Sequence, residues 1–61
     1  MWHVESGKAD CLGNVGTFHV YCGSQYVATF AGYLYDEGSI EAAKRAAMGM
    51  VDYYTRYPLP N

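Results

Sequence analysis

Four side chains of this sequence have the chemistry to hold a soft metal ion or to pair a nucleophile with a base: His3, Cys11, His19 and Cys22. Zinc ribbons and fingers hold their ion with close Cys-x₂₋₄-Cys and His-x₃₋₅-His knuckles, and neither spacing occurs here. His19 and Cys22 stand three apart in a strand-like run, and alternation along a strand sends such residues to opposite faces. A shared ion is therefore not expected. Cys11 with His3 would make a nucleophile–base pair, but nothing in the sequence brings the two together. Gly13-Asn14-Val15-Gly16 lacks the Lys-Ser/Thr of a phosphate loop. No catalytic residue, cofactor or metal is assigned. In a reducing compartment the two cysteines are expected as free thiols. An oxidising one leaves a Cys11–Cys22 disulfide open.

The elements that must position any site are few. At 61 residues the chain makes one domain. A domain of this size buries only about 60% of the surface its unfolded chain exposes. Small scaffolds compensate with disulfides, metals, oligomerisation or large side chains. Here Trp2, Phe18, Phe30 and seven tyrosines supply the last of these. The net charge is −2, and residues 1–38 carry a single lysine and no arginine. Phosphate backbones are bound by clustered Lys and Arg through counterion release, so nucleic acid is disfavoured as a partner. No basic segment leads into an apolar one at the start of the chain, and no apolar run approaches the roughly 20 residues needed to cross a bilayer. A cytoplasmic location without membrane contact is expected.

The pattern predicts an α+β fold: a small antiparallel sheet of three strands with one C-terminal amphipathic helix packed on one face. A first strand is read over residues 2–5, followed by a turn-rich segment to Gly16, read as loop with a brief strand about Cys11-Leu12 as the alternative. A hairpin is read over 17–31, where two runs rich in β-branched and aromatic residues flank Gly23-Ser24, with glycine placed for a type II′ turn. Residues 32–38 read as loop or strand extension, with Gly32 as a bulge candidate. A helix is read over 39–56, with Ser39 as N-cap and Glu41 in the first turn. Pro58 and Pro60 end it and leave a tail over 57–61, frayed or folded back on the domain. Ile40, Ala43, Ala47, Met50, Val51 and Tyr54 fall on one helical face. Glu41–Arg45 and Asp52–Arg56 form acid-first i,i+4 pairs on the other.

A two-residue turn fixes a register in which Cys22 faces Gln25, Tyr21 faces Tyr26 and Val20 faces Val27. One face then holds Phe18, Val20, Cys22 and Val27, with Gln25 and Thr29 towards its edges, and belongs under the helix. The other holds Thr17, His19, Tyr21, Tyr26, Ala28 and Phe30 and is expected to stay open. Exposed tyrosines are enriched at binding hot spots, yet cross-strand Tyr–Tyr pairs also stabilise a hairpin without binding anything. Both readings stand. A second candidate surface is the helix flank of Ala42, Ala46, Met48, Gly49 and Tyr53. Its small residues suit either close packing on the sheet or a homodimer seam, and Met48 sits among charged residues with no evident core to fill.

The hairpin from Gly23 to Phe30 and the alanine-rich helix from Ser39 resemble, in outline, the three-stranded sheet and C-terminal helix of integrase arm-binding and plant-type AP2 DNA-binding domains. That resemblance, over residues 16–57, implies a sheet face laid in the major groove and carrying arginines, whereas residues 1–38 here carry none. The leading expectation is a non-enzymatic protein–protein interaction module, of the kind phages and mobile elements use against host proteins. A weak nucleic-acid binder and a structural homodimer are the alternatives.

Overall fold

A computed structural model describes residues 1–9 and 13–59 of the chain. Strands β1 (Trp2–Lys8), β2 (Val15–Cys22) and β3 (Gln25–Tyr33) precede one helix, α1 (Glu37–Arg56). The strands form an antiparallel sheet in the order β1-β2-β3, with β2 central. The α+β fold expected from the sequence is the fold found. A strand or loop at Cys11, the Cys11–Cys22 pairing and the last two tail residues lie outside the described residues.

All three strands run longer than their composition suggests. β1 continues through Ser6 and Gly7 to Lys8, because Gly7 pairs with Thr17 and Lys8 with Gly16. Gly7 fits there without a side chain: a Cβ would sit 3.3 Å from the Thr17 hydroxyl. The hairpin likewise reaches from Val15 to Tyr33. Its turn is the expected one. Gly23 has φ of +64°, and no described non-glycine residue has a positive φ, which is the II′ pattern rather than I′.

The register departs from expectation two residues past the turn. Cys22 pairs with Gln25 and Tyr21 with Tyr26, but a bulge then leaves Val27 unpaired, and Val20 faces Ala28. From there every pair is displaced by one: His19 with Thr29 and Phe18 with Phe30. An inserted residue reverses the alternation beyond it. Thr29 therefore moves to the open side, and Ala28 and Phe30 move to the helix side, opposite Val20 and Phe18.

The helix begins at Glu37, two residues earlier than read, and its N-cap lies three residues earlier. Asp36 is the N-cap, its carboxylate accepting from the Ser39 N–H at 3.3 Å, and Glu37 is the first-turn acid. The Ser39 hydroxyl instead accepts from the Tyr33 N–H at 2.9 Å and ties the helix to the end of β3. This junction depends on Gly32, where a Cβ would meet the Ser39 carbonyl oxygen at 2.5 Å. The helix ends at Arg56 as expected, and Asp52–Arg56 closes at 3.4 Å. Glu41 and Arg45 form no ion pair among the described residues.

Among the described residues the buried apolar side chains are Ala43 (7% exposed) and Ala47 (0%) on α1 and Val20 (0%) on the helix side of β2. Around them stand half-buried Phe18, Phe30, Ile40, Met50, Val51 and Tyr54. Trp2 stacks on Tyr54 with ring centroids 5.0 Å apart. Pro58 and Leu59 return to the hairpin end and, with Trp2, Cys22, Gln25 and Val27, border one hollow. No helix of the described residues is long and apolar enough to cross a membrane.

Candidate binding face

Strand alternation and the bulge together define the sheet face turned away from α1. β1 contributes His3 and Glu5, opposite Tyr21 and His19 of β2. β3 contributes Tyr26 and, past the bulge, Thr29 and Tyr33. Four rings lie in one patch. His3 stacks on Tyr21 at 5.4 Å and 13°, Tyr21 meets Tyr26 edge-on at 6.0 Å, and His19 tilts against Tyr26 at 6.4 Å.

The polar groups between these rings are joined. The His19 Nε2 lies 3.2 Å from the Thr17 hydroxyl, and its Nδ1 lies 2.8 Å from the Thr29 hydroxyl. Thr29 is in turn 2.7 Å from the Tyr26 hydroxyl. A neutral imidazole has one donor and one acceptor nitrogen, and a hydroxyl serves either role, so both tautomers satisfy this chain. Thr17 is only 4% exposed beneath it. At the β1 margin the His3 Nε2 contacts the Glu5 carboxylate at 3.0 Å. Glu5 is the one formally charged side chain that the register places on this face.

His19, Tyr21 and Tyr26 are thus together on the open face as the sequence suggests, and Phe30 is not. Its aromatic character gave no warning, because only the bulge decides its side. His3, Glu5, Thr29 and Tyr33 were missed. Alternation along β1 would have found the first two once its pairing to β2 was known. The other two depend on the bulge. Tyr26 is 55% exposed and Tyr33 52%, so the site is a surface rather than a cleft. Such an arrangement offers aromatic contact area and hydrogen bonds. His19 and Cys22 do fall on opposite faces, and no group of three or more His, Cys, Asp or Glu suited to a metal occurs among the described residues.

The helix flank divides. Ala42, Ala46 and Gly49 are exposed, and a Cβ at Gly49 would meet nothing within 4 Å, so they do not seat the helix on the sheet. Tyr53 contacts Tyr54 and Tyr57 at 5.1 and 5.2 Å. Met48 is 55% exposed and lines a shallow hollow with Glu41, Lys44, Arg45, Gly49 and Asp52. With Val4, Ser6, Phe18, Lys44 and Val51 it also borders a hollow of ≈ 370 Å³ between α1 and β1. Comparison with protein-family models, with curated proteins and with solved structures gave no match.

Proposed function

We propose that this chain is a protein-binding module whose docking surface is the open sheet face around Tyr21 and Tyr26. The observation that carries the reading is the joined chain Thr17–His19–Thr29–Tyr26, which holds its side chains in place before any partner arrives. A surface whose side chains are already ordered loses little conformational entropy on binding. Tyrosine adds large contact area at the cost of two rotatable bonds. Glu5, with no lysine or arginine beside it on the face, favours a neutral or basic protein surface over a phosphate backbone.

The test is affinity capture from the native cell with the parent chain and with the Tyr21→Ser/Tyr26→Ser double variant as baits, their folds compared by circular dichroism. Loss of a partner from the folded double variant is expected. Full retention of every partner by that variant sinks the reading. So does recovery of nucleic acid alone, released steeply as salt rises.

A further inference from the structure

The two edges of the sheet are unequal. On β3 the outward N–H of Tyr33 is taken up by the Ser39 hydroxyl at 2.9 Å. The bulge at Val27 breaks the other end of that edge, leaving a short run about Thr29 and Ala31. β1 pairs without interruption from Trp2 to Lys8. The Ala9 N–H reaches the Val15 carbonyl at 3.1 Å, and the Gly23 N–H reaches the Met1 carbonyl at 2.8 Å. These bonds fix the parity of β1. Its odd-numbered residues turn their backbone groups to β2, so Trp2, Val4 and Ser6 turn theirs outward. An uninterrupted edge of this kind is a template for another strand.

We propose that two copies of the chain pair through β1, antiparallel and with Val4 on the two-fold axis, to make a continuous six-stranded sheet. Charge selects that register. Pairing Val4 with Ser6 would set Glu5 against the second copy's Glu5, and like charges directly opposed are destabilising. Pairing Ser6 with Ser6 would leave His3 outside the strand overlap. With Val4 on Val4, each His3 faces the second copy's Glu5, and each Trp2 faces the second copy's Ser6. Three pairs of outward residues then each close two backbone hydrogen bonds.

The apolar surface agrees with this register. Val4 lies on the helix side, on the border of the ≈ 370 Å³ hollow with Phe18, Met48 and Val51. Val4 against Val4 joins the two hollows. The second copy's Trp2, stacked on its own Tyr54, comes to the Ser6 rim. Within one copy the buried apolar side chains among the described residues are Val20, Ala43 and Ala47, and oligomerisation is a common supplement to so small a core.

The test is sedimentation equilibrium of the full chain across dilution, with amide exchange read residue by residue. A dimer is expected, with Trp2, Val4 and Ser6 amides protected in proportion to its population. Ser6→Pro removes an N–H that makes no bond to β2, and should raise the dimer Kd by about tenfold or more. His3→Glu and Glu5→Lys should each weaken the dimer, and together restore it to within about threefold. Should Ser6→Pro fail to fold, parent exchange and the charge swap still decide. A chain monomeric at about 1 mM overturns the proposal, as does a dimer whose protection maps to α1 or the open face. Tyr26→Ser, remote from the β1 edge, should leave the dimer intact, which separates this surface from the protein-docking face.

Discussion

Gly32→Ala is the substitution that bears hardest on how this fold is held together. Three backbone atoms crowd the position: the new Cβ would lie 2.5 Å from the Ser39 oxygen, 2.8 Å from its carbonyl carbon and 3.0 Å from the Ile40 nitrogen. A flexible side chain can swing aside, but these atoms belong to the first turn of α1, so relief requires the helix to rise from the sheet. Overpacking of this kind costs about 1–3 kcal/mol. Lifting the turn also stretches the Tyr33–Ser39 hydrogen bond, worth about 0.5–1.5 kcal/mol. Against this, alanine is intrinsically better than glycine in a strand by about 0.5–1 kcal/mol. The balance is a loss of about 2 kcal/mol. A small domain has about 0.05–0.15 kcal/mol of stability per residue, so this is a large share of the total. The melting temperature should fall by about 8–16 °C. Gly49→Ala is the matched control, since nothing lies within 4 Å of its Cβ, and it should stabilise the helix by about 1 kcal/mol. Paired thermal and urea unfolding of the two variants measures both. Equal stability of Gly32→Ala and the parent would refute the close helix–sheet contact, whatever Gly49→Ala does.

Three further substitutions probe the local devices. Asp36→Ala should cost about 1 kcal/mol in urea unfolding, as the loss of an N-cap does. Ser39→Ala should act differently, by freeing the Tyr33 amide to exchange with water, and hydrogen exchange at that amide reads the effect directly. If Ser39→Ala instead frays the helix start while Asp36→Ala changes nothing, the cap assignment is reversed. Gly23→Ala forces a side chain into φ of +64°. It should lower stability by about 1–2 kcal/mol, and an unchanged unfolding midpoint would contradict the II′ turn.

Local chemistry reaches far along this chain because each signal is written within a few residues. Gly23-Ser24 marks its turn by the one backbone region glycine enters freely. The stripe from Ile40 to Tyr54 marks its helix by a period of 3.6, and Pro58 marks where the helix can no longer run. Those signals determine the α+β order, the hairpin and its first two pairs, and the side of Phe18, Val20 and Cys22.

What the sequence does not contain is decided by contacts between distant segments. The bulge at Val27 has no local signature. It follows from how β3 meets both β2 and α1, and it alone sends Phe30 under the helix and Thr29 to His19. Asp36 and Ser39 are equally good caps by type. The choice of Asp36 falls out of Gly32, which draws the end of β3 so close to the helix that the Ser39 hydroxyl is claimed by Tyr33. His3 and Glu5 join the tyrosine face only because β1 pairs with β2 over its whole length. The candidate face was therefore legible at Tyr21 and Tyr26, where the turn fixes the register. It was illegible wherever register or neighbour is set by tertiary packing, since alternation tells which residues share a face but not which face a later residue joins once one has been inserted.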